Sequence, residues 1–176
     1  MSSEPQARYR VTAAPEQFAT AARPVSYALI NGFLAHHAII SETLEMRPTK
    51  LLVYLIIVTA AVQRVIRGPD LPEGWRGTDR MPRAVIGYIS RRAIAEASGL
   101  PRENVRRIVN ELIAEDRLLI GPRGALANKG GLLESQRILD SLTAQLTLQA
   151  RTTQSLLDAG VLTIARVEPT DTDAAA

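Results

Sequence analysis

The stretch that decides the fold is ISRRAIAEASGLPRENVRRIVNELIAEDRLLIGPRG, residues 89–124. Ser90 is a helix N-cap residue, because its short side chain can accept from the first free amides of the turn that follows. A short helix over Arg91–Ser98 is then expected, broken by Gly99, where a positive φ costs little. Pro101 suits the opening of a second helix, running to about Asp116. Leu118-Leu119-Ile120 reads as a strand, Gly121-Pro122-Arg123-Gly124 as a tight turn, and Ala125–Asn128 as the returning strand. Gly130-Gly131 closes the unit. The apolar residues carry the same reading. Ile94 and Ala95 face inward on the first helix, Ala95 small enough for the second helix to cross closely. Leu100, Val105, Ile108 or Val109, and Leu112 then form the inner stripe that a bihelical unit requires.

Working outward, Ala84–Ile89 is a short β-branched run that predicts a small strand, and the Gly- and Pro-rich residues 68–83 predict a loop pinned by Trp75. Before it, Lys50–Arg67 is apolar on most faces and is expected at the centre of the core. A helix from Pro24 to about Arg47 carries Tyr27, Ile30, Phe33, Leu34, Ile40 and Leu44 at helical spacing. Beyond the unit, a long helix over 132–159 is expected to stop at Gly160. The resulting division is a disordered arm at 1–22, N-terminal helices at 23–67, the loop at 68–83, the central unit at 84–131, a C-terminal helix at 132–160 and a tail at 161–176.

The order strand, helix, turn, helix, β-hairpin resembles the winged helix-turn-helix of the GntR-type and MarR-type bacterial regulators. The resemblance covers about fifty residues, and more if Lys50–Arg67 serves as the first helix of that domain. Ser98 departs from it, since the family more often has Ala or an apolar residue there. The flanking helices match no effector domain. The fold expected is therefore mostly α: a winged helix-turn-helix with a small hairpin wing, two preceding helices and a long C-terminal helix. The function implied is sequence-specific binding of double-stranded DNA in transcription regulation, with a winged-helix adaptor that binds protein as the alternative.

With Val105 and Leu112 inward, the helical repeat places Glu103, Arg107 and Asn110 on the opposite face, flanked by Arg106. Arg102 and Asn104 lie at the helix N-terminus, the end that enters the groove first. Arginine pairs bidentately with guanine and asparagine with adenine, so Arg102, Asn104, Arg106, Arg107 and Asn110 are the candidate base readers. The resemblance implies phosphate contacts from Ser90, Arg91 and Arg92 at the start of the first helix. Arg123 at the wing tip is a candidate for the minor groove or its flanking phosphates, and Lys129 for phosphate; phosphate contacts position without reading sequence. Arg117 is expected to pair with Glu115 or Asp116.

Composition agrees with a polyanionic partner. The net charge is only +3, but residues 64–131 hold thirteen basic and eight acidic groups while the rest holds eight and ten. The positive charge therefore sits where the motif lies. The absence of cysteine excludes thiolate chemistry and disulfides and suits a reducing, cytoplasmic setting near the nucleoid. Leu51–Val62 is uncharged but about twelve residues long, short of the roughly twenty a membrane span needs. His36 and His37 point about 100° apart on a helix and so do not chelate one metal. No phosphate-loop, zinc-protease or nucleophile-elbow pattern is present, so neither an enzyme nor a cofactor is expected. Leu139, Leu142, Leu146 and Leu156 form a weak heptad seam, which suits either pairing in a homodimer reading a palindromic operator or packing against the chain's own N-terminal helices. The sequence names no small-molecule effector.

Overall fold

The computed structural model describes residues 8–67 and 77–167, and the chain is mostly helical. In order it forms β1 (Arg8–Ala13), α1 (Phe18–Leu44), α2 (Pro48–Ile66), α3 (Arg91–Ser98), α4 (Arg102–Ala114), β2 (Leu118–Ile120), β3 (Leu126–Asn128), α5 (Gln136–Asp158) and β4 (Leu162–Val167). Two compact units result, His37–Thr143 and Met1–His36 with Ala144–Ala176, their boundaries falling inside α1 and α5.

The His37–Thr143 unit is built around α2. Leu51, Val53, Tyr54 and Ile57 are buried, and the cluster they join includes Ile94 and Ala95 of α3, Val105, Ile108, Val109 and Leu112 of α4, and Leu118 and Leu126 of the hairpin. Apolar side chains on both short helices have no other place to leave water, so they fold onto α2 or do not fold. Ser90 Oγ accepts from Ala93 N at 3.1 Å and caps α3. Gly99 ends α3 in the left-handed region, at φ 67° and ψ 9°, which lets the chain reverse within three residues. β2 and β3 pair antiparallel with Leu118 opposite Asn128 and Ile120 opposite Leu126, around a turn of Pro122–Gly124.

Three helices stop in the same way. Glu45, Asp116 and Gly160 each take positive φ. The next amide then reaches back into the last turn: Met46 N to Ser41 O, Arg117 N to Leu112 O and Val161 N to Leu156 O, at 3.0, 3.0 and 3.1 Å. Such closures satisfy carbonyls that a helix end leaves orphaned.

Several expectations need correction. The strand expected at Ala84–Ile89 is reduced to one bridge, Ile89 to Leu126, because Arg83–Val85 coils and the Gly87 amide donates to Ala61 O at 2.8 Å. An amide captured by the end of α2 is lost to a ladder. The arm expected over 1–22 and the tail over 161–176 contain a paired ribbon instead. β1 and β4 run antiparallel from Arg8 opposite Val167 to Ala13 opposite Leu162. The first helix begins at Phe18 rather than Pro24, with a break at Ala21 (φ −120°, ψ 18°) that places Pro24 in the first turn after it. The C-terminal helix begins at Gln136, since Leu132–Glu134 forms a separate 3-10 turn and Ser135 is extended. Of the expected loop, residues 68–76, Trp75 among them, lie outside the described residues.

Among the described residues no helix is long and apolar enough to cross a membrane. The cluster around α2 makes a direct prediction. Ile108 is 2% exposed, and Ile108→Ala should cost about 2–5 kcal/mol, read as a lower urea midpoint by circular dichroism. A loss within about 0.5 kcal/mol, the range of ordinary surface changes, would show that α4 is not packed as described.

Candidate nucleic-acid interface

The exposed side of α4 is defined by what its other side buries. Val105, Ile108, Val109 and Leu112 are all within 2% of full burial. At 100° per residue this leaves Arg102, Glu103, Asn104, Arg106, Arg107 and Asn110 outside, and all six are exposed. The five candidate base readers are thus all exposed, Arg106, Arg107 and Asn110 facing away from the stripe and Arg102 and Asn104 on its two edges at the N-terminal end. α4 is held at its N-terminal end by the turn after α3, where Leu100 N donates to Ser98 Oγ at 3.3 Å.

The arginines of this surface are not bare charges. Arg106 donates to both oxygens of Glu103, from Nε at 2.8 Å and from Nη2 at 2.6 Å. Arg107 Nη1 donates to Glu111 Oε1 at 2.8 Å. Arg106's hydrogen bonds hold the Glu103 carboxyl below the usual carboxylate range, and Glu103 in turn raises the Arg106 guanidinium above its own. Arg92 on α3 is likewise paired, with Glu96 at 2.7 Å, and lies on an exposed surface. Among the described residues Arg102 and Arg123 form no ion pair.

The phosphate candidates separate into two groups. Arg91 is half-buried and its Nη1 donates to Gly124 O at 3.1 Å, which ties the start of α3 to the hairpin turn. Ser90, Arg91 and the turn bearing Arg123 are therefore neighbours. Arg123 itself adopts φ 55° and ψ 26°, a conformation uncommon for a residue with a Cβ, and its side chain is exposed. Lys129 is elsewhere. It pairs with Asp116 beyond the C-terminal end of α4, about 20 Å of helix from Arg102. Arg117 pairs with Glu115 at 3.4 Å, as expected, and also donates to Leu44 O at 3.2 Å.

Sequence reasoning missed the start of α2. Arg47, Thr49 and Lys50 line a hollow of about 170 Å³ with Asn104, Arg107 and Ile108. Glu111 sits among three cations there: Arg47 at 3.2 Å, Lys50 at 3.8 Å and Arg107. Lys50, only 9% exposed, also pairs with Glu115. The available signal was three cations, Arg47, Lys50 and Arg107, in helix-opening or polar-face positions of two elements expected to pack. Among the described residues no three His, Cys, Asp or Glu side chains gather to hold a metal ion.

Comparison with protein-family models, with curated proteins and with solved structures finds no match for this chain. What the surface does must be read from its chemistry.

The ion pairs are directly measurable. By NMR titration the Glu103 carboxyl should protonate at a lower pH than an unpaired glutamate, and Arg106→Ala should return it upward. An unchanged midpoint in Arg106→Ala would mean that the pair does not form in solution.

Proposed function

We propose that this chain is a sequence-specific double-stranded DNA-binding transcription regulator. In this reading α3 and α4 form a helix-turn-helix, β2 and β3 form its wing, and α4 enters the major groove N-terminal end first. One observation carries the proposal: α4 buries a continuous apolar stripe and leaves three arginines and two asparagines in the open on the rest of its surface, Arg107 and Asn110 opposite the stripe and Arg102 and Asn104 at its edges in the first turn. Guanidinium and carboxamide groups are the donors and acceptors that match guanine and adenine edges. The B-form major groove is about 12 Å wide and admits a helix of this kind.

Groups suited to phosphate stand on the neighbouring elements. Ser90, Arg91 and Arg123 gather where the start of α3 meets the hairpin turn, and Arg47 and Thr49 at the first turn of α2 lie beside Asn104 and Arg107, where free helix amides also favour an anion. The glutamates refine the picture. Glu103 and Glu111 lower the charge of the surface, so binding to arbitrary DNA is weakened. A guanine must draw Arg106 or Arg107 away from an existing partner, and the right base pays back that loss while a wrong one does not. The same internal pairing is what a protein-binding adaptor would show, and that is the second reading. Two copies would address half-sites one helical turn, about 34–36 Å, apart.

The test is a titration of the full chain with genomic duplexes across a salt series. A DNA binder should lose affinity linearly in logarithmic salt, at about 0.9 per phosphate neutralised. Binding too weak to detect at low salt would leave the adaptor reading. At a cognate site Arg106→Ala or Arg107→Ala should cost about 1–3 kcal/mol, with little change on unrelated sequence. Arg123→Ala should weaken most duplexes by a similar factor and flatten the salt dependence by about one unit. A loss confined to one sequence would instead make Arg123 a base reader.

A further inference from the structure

The unit formed by Met1–His36 with Ala144–Ala176 has almost no core. Its buried hydrophobic side chains among the described residues are Val25 and Val161, whereas Tyr27, Leu29, Ile30, Phe33 and Leu34 of α1 are between 50% and 72% exposed. α1 approaches α5 closely at Gly32, which is buried and where a Cβ would lie 2.9 Å from Thr152 Oγ1. At 100° per residue Tyr27, Ile30 and Leu34 lie on the side opposite Val25 and Gly32. The helix is therefore apolar on two sides and covered on one. The β1–β4 ribbon repeats the pattern. Tyr9 and Val11 share a face with Ile164, directly opposite Val11, and all three are at least half exposed.

We infer that this unit is half of a homodimer, in which the Tyr27–Ile30–Leu34 face of α1 packs against the same face of a second copy. The inference stands on burial and does not depend on the DNA-binding proposal. Area is the first argument. Side chains of this size carry on the order of 200 Å² each, so the five of α1 expose on the order of 600 Å². That is the upper end of what a monomer displays. The ribbon face and Leu146 expose further apolar area in the same unit, and a stable interface takes roughly 800 Å² from each partner.

The occupant follows from chemistry. No charged residue occurs from Pro24 to Ser41. A face without charge meets its own copy without like-charge repulsion, as a two-fold interface requires. It offers no cation to a membrane surface, where amphipathic helices carry Lys or Arg on the polar side. A two-stranded ribbon is marginal alone, and a unit without a core needs its partner whenever it is folded. Only another copy of the chain is always present.

The experiment is sedimentation equilibrium of the full chain, with Ile30→Glu/Leu34→Glu as the variant. The wild type should be dimeric at micromolar concentration, and the variant's dimer should weaken by more than about 100-fold. Its near-ultraviolet and NMR signals from the His37–Thr143 unit should persist. If instead the variant unfolds, single-cysteine variants decide, because the chain has no cysteine of its own. Tyr27→Cys, Ile30→Cys or Leu34→Cys should cross-link copy to copy with a short bismaleimide, and Asn110→Cys should not. A monomeric wild type up to hundreds of micromolar would overturn the inference. So would a variant that stays dimeric, or a monomer that co-sediments with phosphatidylcholine–phosphatidylglycerol vesicles. Loss of dimer without loss of binding to a single half-site would leave the DNA-binding proposal intact.

Discussion

Everything in the His37–Thr143 unit depends on the burial of one apolar stripe, Val105, Ile108, Val109 and Leu112 of α4, against α2 and α3. A helix of thirteen residues is marginal in water by itself, and its stability must come from packing. Once that stripe is buried, the remaining face is fixed in both position and composition. The orientation of Arg102, Asn104, Arg106, Arg107 and Asn110 is thus a by-product of core formation. A surface set by the core is rigid, which is what recognition of base edges demands.

The electrostatics are arranged on the same frame. Glu111 and Glu115 hold Lys50 at the edge of the core, where an unpaired ammonium would be costly. Glu111 thereby also meets Arg47 and Arg107, and so links the first turn of α2 to the middle of α4. A change at this carboxylate would be felt by packing and by the polar face together. Exposed pairs such as Arg92–Glu96 and Arg106–Glu103 contribute little stability. Their consequence is the lowered charge of the surface.

The sequence made the central elements legible because their signals are local. Ser90, Gly99 and the apolar spacing from Ile94 to Leu112 act within a few residues of themselves, and α3, α4, β2 and β3 form within one or two residues of expectation. The β1–β4 ribbon was missed for the opposite reason. Arg8-Tyr9-Arg10-Val11 and Leu162-Thr163-Ile164 do alternate polar and apolar, but each run is short, and its partner lies about 150 residues away in the chain. The strand expected at Ala84–Ile89 failed because its β-branched residues say nothing of α2, whose Ala61 carbonyl takes the Gly87 amide. Arg47 and Lys50 escaped notice as site residues since only packing brings them to α4. Lys129 reads as a phosphate candidate from its charge just past the wing, and the hairpin register carries it to the other end of α4.

In the proposed function, α4 and the hairpin turn form the nucleic-acid surface. The most direct measurement is amide chemical-shift mapping of the ¹⁵N-labelled chain with a mixed-sequence duplex at low salt. Perturbations should concentrate at Arg102–Asn110, Ser90–Arg92, Pro122–Gly124 and Arg47–Lys50, with the Pro24–Leu34 face of α1 unmoved. Perturbation confined to α1, or none at saturating duplex, would contradict it.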